Sequence, residues 1–392
     1  MIEFSEIPGW GLALLPPVIL AAWFFSRRQK REHTLKKRFS TEYFKGLNYL
    51  LNDEQGKALD IFVRLVESDW ETIDTHFALG RIFRKNGEID KAINIHQGLI
   101  TRPSLPERYR KEVLLELGYD YLGAGWFDRA EGLFKEVLNY DPKSEKALRN
   151  LILIYQQEKD WRKAIDTAVI LFGEDPVNIG PMISQYYCEL ADIAQNRNDL
   201  NQVEHNANQA LRYDALSVRA SILLAELAMN AGDCKKAIRL FEGIEKQDAE
   251  FLPLVIDRLI ECHDRIGASM ELLKYLNGLN RRQQQLPLVE AHARVIESHE
   301  GAAAALEFVT ANLRRAPSLQ TVSSVLEYLS EQGGENTASM LADLKTAVAS
   351  IRKVDCRHRC RKCGFRSNTL YWMCPSCHSW ASVKPCCLSE PA

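Results

Sequence analysis

The residues most able to do chemistry are cysteines, and they are unevenly spread. The chain has ten, and seven of them fall between Cys356 and Cys387 of its 392 residues. Four of the seven form two C-x-x-C pairs: Cys360-Arg-Lys-Cys363, followed directly by Gly364, and Cys374-Pro-Ser-Cys377. A C-x-x-C turn brings two thiolates together and aims backbone N–H groups at them, and two facing turns give a tetrahedral S₄ site. Gly364 suits a left-handed backbone after the first pair, and Pro375 stiffens the second turn. The intervening FRSNTLYWM is rich in strand formers and predicts a small pair of β-hairpins. The alternative is a set of free or disulfide-paired thiols. Stable disulfides are disfavoured in a reducing cytosol, and a redox dithiol more often shows a single C-x-x-C beside a βαβ pattern, which is missing here. Cys360, Cys363, Cys374 and Cys377 are therefore read as ligands of one iron or zinc ion, between which S₄ ligation does not choose. Four thiolates close the coordination sphere, which points to a structural ion. Cys356, Cys386 and Cys387 are read as non-ligands, with a ligand swap by Cys356 left open. Cys188, Cys234 and Cys262 lie in helical apolar patterns and read as small core residues.

The elements that must carry this site are repeats. In LGYDYLGAGWFDRAEGLFKEVLNYDP, Leu117, Gly118 and Tyr121 lie on a first helix, Gly125 marks a turn, Ala130 and Phe134 follow on a second helix, and Pro142 closes the unit. This is the tetratricopeptide pattern, in which small residues let paired helices approach and aromatics fill the space between them. Related sets recur at a spacing close to the period of about 34 residues: Gly46, Tyr49, Ala58 and Phe62; Gly80, Phe83, Gly87 and Ala92; Tyr155, Ala164 and Pro176; Ala191, Ala194, Ala207 and Ala210; Ala225, Gly232, Ala237 and Phe241. His96 stands where the pattern often places an aromatic and is expected in or near the core. Charge-rich stretches such as RNDLNQVEHN read as solvated loops. Beyond Glu250 the pattern weakens, and residues 251–352 are expected to continue as degenerate helical repeats. Hairpins of this kind bury their apolar faces by stacking on their neighbours.

Residues 7–25, IPGWGLALLPPVILAAWFF, are almost wholly apolar and about as long as a helix needs to cross a bilayer core of about 30 Å. Trp10 and Trp23 sit near its ends, as interfacial indoles do. Pro16 and Pro17 interrupt its middle, which membrane helices tolerate with a kink. Glu3 and Glu6 precede the stretch, and seven Lys or Arg residues from Arg27 to Arg38 follow it. Basic flanks stay in the cytoplasm, so the N-terminus is expected outside and the bulk of the chain inside. The acidic start and the lack of a small-x-small site argue against a cleaved signal peptide. The basic run could also attract anionic lipids.

A formal net charge of −2 gives no broad nucleic-acid signal. The hydrophobic fraction of 46% and charged fraction of 26% are those of an ordinary folded protein. No H-E-x-x-H, P-loop or G-x-S-x-G motif is present, and Gly123 and Gly125 belong to a repeat turn rather than a dinucleotide fingerprint. An enzyme is not expected.

The apolar stretch with its basic flank, the repeat GRIFRKNGEIDKAINIHQGLI and the ending CRKCGFRSNTLYWMCPSCHSWASVKP together resemble the lipopolysaccharide assembly protein B family of Gram-negative bacteria. The resemblance covers nearly the whole chain. It implies an all-α tetratricopeptide-repeat superhelix with an N-terminal transmembrane helix and a small rubredoxin-like metal-binding knuckle packed against the repeats. The expected divisions are an anchor at 1–26, a basic linker at 27–40, repeats at 41–250, degenerate repeats at 251–352 and the knuckle with its tail at 353–392. The resemblance further implies a single-pass inner-membrane adaptor, periplasmic at its N-terminus. Such an adaptor promotes degradation of the lipid A-committing deacetylase by the membrane-bound AAA protease FtsH, and a lipopolysaccharide-sensing membrane regulator opposes it. A homodimer stays open. The tail Cys386-Cys387 and the central prolines of the anchor depart from the expected family pattern. Two other readings stand beside the adaptor: a rubredoxin-like electron-transfer protein, and an assembly platform for lipopolysaccharide enzymes.

Overall fold

The computed structural model describes residues 73–315, apart from 104, 174–175 and 283–285, and residues 357–385, with some of 41–63 and 322–329. The apolar stretch 7–25, the basic run after it, Cys356, Cys386 and Cys387 lie outside the described residues. Among the described residues no helix is long and apolar enough to cross a membrane.

The described chain forms two compact units that divide between Lys159 and Asp160. In the first, α1 (Ile73–Lys85) pairs with α2 (Ile89–Ile100), α3 (Glu107–Gly123) pairs with α4 (Phe127–Tyr140), and α5 (Glu145–Glu158) packs against α4 and α3. The second contains α6 (Trp161–Phe172), α7 (Pro176–Asn196), α8 (Leu200–Tyr213), α9 (Val218–Asn230), α10 (Cys234–Asp248), α11 (Leu252–Arg265), α12 (Ser269–Arg282), α13 (Leu286–Glu300) and α14 (Ala302–Arg315). A single 3₁₀ turn, Ala249–Phe251, joins α10 to α11.

Local chemistry accounts for the hairpin turns. Asn198 and Gly232 take left-handed conformations, as a helix C-terminus requires. The next residue in each case, Asp199 or Asp233, then caps the following helix by accepting from the Gln202 or Lys236 amide. The stretch RNDLNQVEHN is thus a turn only at its start. From Leu200 onward it is helical, and it buries Val203 and Asn206 on one face. Arg197 and Asp199 are exposed in the turn and Glu204 is half-buried on the helix, so the stretch resembles a loop when judged by polarity alone.

Helix pairing rests on glycine against a ring. A Cβ on Gly46 would lie 2.8 Å from Phe62, one on Gly118 would lie 2.8 Å from Phe134, and one on Gly80 would lie 2.3 Å from the His96 ring. The two members of each pair are sixteen residues apart in sequence. His96 is fully buried, as its place in the repeat suggests. Its Nδ1 lies 2.5 Å from Asp120 Oδ2. Arg84 donates to Asp120 at 2.6 Å and to Glu116 at 2.7 Å, and Arg81 donates to Glu116 at 2.8 Å. Burial pushes the Glu116 carboxyl up, but the two arginines outweigh it and hold it below its ordinary value.

In the second unit, successive first helices of the hairpins are linked by ion pairs. Arg219 reaches Asp192 and Glu189, Arg258 reaches Glu226, and Arg294 reaches Asp257. The exposed pairs add little. Arg219, with its side chain only 5% exposed, is held within the fold. A continuous apolar core runs from Val218 to Val309, and Phe241, Phe251, Val255 and Leu276 lie within it.

The C-terminal segment is a three-stranded antiparallel sheet in the order β2-β1-β3, with β1 His358–Cys360, β2 Arg366–Ser367 and β3 Val383–Pro385. The hairpin pair expected within FRSNTLYWM is only partly present. Its strand stops after Ser367, because the following residues carry Leu370 and Trp372 onto the core of the second unit.

Candidate metal centre

Two copies of one turn build the site. In the first, Cys360 ends β1, the Gly364 amide donates to the Cys360 carbonyl at 3.0 Å, and Gly364 has φ +79°. In the second, the His378 amide donates to the Cys374 carbonyl at 2.9 Å, and His378 has φ +54°. His378 is therefore the counterpart of Gly364. The histidine type hides that role, since a non-glycine residue at positive φ leaves no reliable sequence signal.

All four thiols converge. The Sγ atoms of Cys360, Cys363, Cys374 and Cys377 lie within 4.8 Å of one another, and among the described residues they are the one group able to hold a metal ion. Cys360 to Cys377 is 3.7 Å, and Cys363 to Cys374 is 3.7 Å. A tetrahedron with metal–sulfur bonds of about 2.3 Å has edges of about 3.8 Å, whereas a disulfide bond is only about 2.05 Å long. The sulfur cage thus has the dimensions of a four-thiolate ion site.

Backbone amides and hydroxyls surround the sulfurs. The Lys362 amide lies 3.4 Å from Cys360 Sγ, the Cys360 thiol donates to the Ser382 hydroxyl oxygen at 3.3 Å, and that hydroxyl donates to the Ser379 carbonyl at 3.0 Å. Burial pushes the Cys360 thiol up, but the Ser382 hydroxyl and the amides of the turn outweigh it and bring it down to about 6. The Ser379 hydroxyl and amide lower Cys377. Burial dominates at Cys374 and pushes it up to about 11, against the amides of Cys377 and Ser376. A bound cation favours the thiolate at every position. Cys360 and Cys374 are buried, while Cys363 is exposed. Zinc and iron both suit this donor set.

The remaining cysteines behave as core residues. Cys188, Cys234 and Cys262 are buried, and burial pushes Cys188 up to about 12 and Cys262 up to about 11.

The knuckle is docked on the second unit by groups that sequence spacing did not single out. Trp372 stacks on Phe251 with ring centroids 5.5 Å apart. The Arg219 guanidinium also lies over it, 5.5 Å from the ring centre. Trp380 meets Trp161 and Tyr186 edge-on, at 6.1 Å and 6.0 Å. Lys384 pairs with Asp248 at 2.6 Å and Glu250 at 3.1 Å, and Arg361 pairs with Glu250 at 3.1 Å. One signal was available in the sequence: residues 357–385 carry six Lys or Arg and no Asp or Glu, while Asp248-Ala-Glu250 offers two acids together.

Tetratricopeptide hairpins with a four-cysteine knuckle docked on the second unit define a helical-repeat protein that carries a rubredoxin-like metal-binding domain. Residues 358–385 match the rubredoxin metal binding domain family, and residues 75–108, 115–176 and 188–250 match tetratricopeptide repeat families. The chain is 32% identical over 377 residues to lipopolysaccharide assembly protein B of Escherichia coli (strain K12), spanning 95% of this chain and 96% of that protein. It is 30% identical over 390 residues to the protein of the same name from Haemophilus influenzae (strain Rd), with the same coverage of both. The chain belongs to the lipopolysaccharide assembly protein B family.

Proposed function

We propose that this chain is a non-enzymatic adaptor at the bacterial inner membrane that restrains lipopolysaccharide synthesis by delivering the lipid A-committing deacetylase to the FtsH protease. The observation that carries this reading is the end-to-end match to relatives named for lipopolysaccharide assembly, spanning repeats and knuckle alike. Stacked repeats supply an extended protein-binding surface. A bound ion would cross-link the two C-x-x-C turns; four thiolates leave it no open position for substrate. The apolar segment 7–25 would hold the repeats near membrane-bound partners and so raise their effective concentration.

The test is replacement in a Gram-negative host that lacks its own family member. With the full chain, the deacetylase is short-lived and lipopolysaccharide is normal. Without it, the half-life of the deacetylase lengthens and lipopolysaccharide rises. The chain lacking residues 1–26 folds but does not restore turnover at normal abundance. Unchanged deacetylase half-life with disturbed lipopolysaccharide assembly would instead support a platform for lipopolysaccharide enzymes. A reversible redox potential whose loss abolishes function would support electron transfer.

A further inference from the structure

The knuckle sheet carries an unusual row of charge. Across β2-β1-β3, Arg366 lies directly opposite Arg359, and Arg359 lies directly opposite Lys384. Directly opposed residues share a face of the sheet, so three cations stand side by side. Like charges opposed in this way destabilise an antiparallel pair. Residues 357–385, which hold all three strands, contain no Asp or Glu to compensate them.

One end of the row is neutralised by the repeats. Lys384 takes the carboxylates of Asp248 and Glu250, and Arg361, two residues on from Arg359, also pairs with Glu250. The other end is open: Arg366 is exposed and Arg359 is half-buried. Serving the metal site does not explain these two arginines. Strand alternation turns Arg359 away from the side of Cys360, whose sulfur is contacted by the Lys362 amide and the Ser382 hydroxyl.

We propose that Arg359 and Arg366 form a docking site for an acidic segment of a protein partner, which continues across the sheet the carboxylate contacts that Asp248 and Glu250 begin. The complement already seated at the Lys384 end is a pair of carboxylates from a polypeptide, and the open end offers the same chemistry in a stronger form. Guanidinium groups grip carboxylates through two parallel hydrogen bonds. The exposed Tyr371 ring lies on the same small domain and stands edge-on to Phe365. The site stands on sheet geometry and charge, so it does not depend on the identity of the regulated enzyme.

The test uses the full metal-loaded chain in detergent, with a fluorescent peptide of alternating Glu and Ser as the probe. The same peptide with Gln for Glu serves as the control. The acidic peptide binds with an affinity that falls as salt rises, and the Gln peptide does not bind. The Arg359→Gln/Arg366→Gln variant loses binding by about tenfold or more. Its metal content is unchanged and its melting temperature is equal or higher, because a like-charge contact has been removed. Equal peptide affinity in the variant overturns the proposal. So does a variant that loses metal or melts earlier, which would make the row structural. Binding to phosphatidylglycerol vesicles but not to the peptide overturns it as well, in favour of a lipid surface.

Discussion

Trp372 of the knuckle contacts both Phe251 and Arg219, stacked on the first at 5.5 Å and met by the guanidinium of the second 5.5 Å from its ring centre. Arg219 is itself tied to Asp192 and Glu189, so one indole joins the knuckle to α7, α9 and the turn before α11. An aromatic pair contributes about 1 kcal/mol beyond area burial, and a cation over a ring a similar amount. Trp372→Ala is expected to loosen docking by about 2–3 kcal/mol with the ligands untouched. Limited proteolysis should then release the knuckle sooner, while metal stoichiometry stays at one per chain. Loss of metal in this variant would show that docking and ligation are not separable.

Cys374→Ser is the converse case. Cys374 is fully buried and sits 3.7 Å from Cys363 Sγ, so its loss opens the sulfur cage from inside. Small thiolate sites draw much of their folding free energy from the ion. The variant should lose stoichiometric metal, measured by elemental analysis, and the knuckle should unfold. Cys356→Ser and the Cys386→Ser/Cys387→Ser pair should keep one ion each. Metal retained by Cys374→Ser with metal lost by Cys356→Ser would show that the swap had occurred.

The repeats and the four-cysteine cluster were legible in the sequence because each is encoded locally. A glycine sixteen residues before a ring, or two cysteines three apart, carries its geometry within one turn or one hairpin. His96 could be placed in the core for that reason, although its partner Asp120 could not, since that contact joins adjacent repeats. The resemblance implied that the knuckle packs on the repeats, but the docking contacts themselves were not legible. Trp372 meets Phe251 and Lys384 meets Asp248 across more than one hundred residues, and no periodicity relates them. His378 escaped notice for a different reason: its left-handed backbone is imposed by the turn around Cys374 and Cys377, not by its own residue type.

Glycine to alanine is expected to have opposite signs at the glycine–ring pairs and at a glycine facing open space. Gly118→Ala drives a methyl to 2.8 Å from Phe134, and Gly80→Ala to 2.3 Å from a His96 ring held by Asp120. Overpacking of this kind costs about 1–3 kcal/mol, with Gly80 expected at the upper end because His96 has less room to yield. Gly132 lies on α4 with nothing near its missing Cβ. Gly132→Ala should therefore stabilise the helix by up to about 1 kcal/mol. Urea midpoints of the three variants give the order; a Gly80→Ala protein as stable as Gly132→Ala would refute close packing at that pair.

His292 predicts the pH response of the second unit. The side chain is 1% exposed, both ring nitrogens lack hydrogen-bond partners, and the ring packs 4.4 Å from Phe308. Burial lowers its pKa to about 4 from an ordinary 6.5. The folded chain therefore resists a proton that the unfolded chain accepts between those values, and linkage makes stability fall as pH drops from 6.5 towards 4. At pH 5 the loss from this one group is about 2 kcal/mol. His292→Leu removes the titration and the unpaired nitrogens together. Its unfolding midpoint should be no lower than that of the wild type at pH 7, and it should lose about 2 kcal/mol less between pH 7 and pH 5. Parallel acid losses in the two proteins would place the titrating group elsewhere.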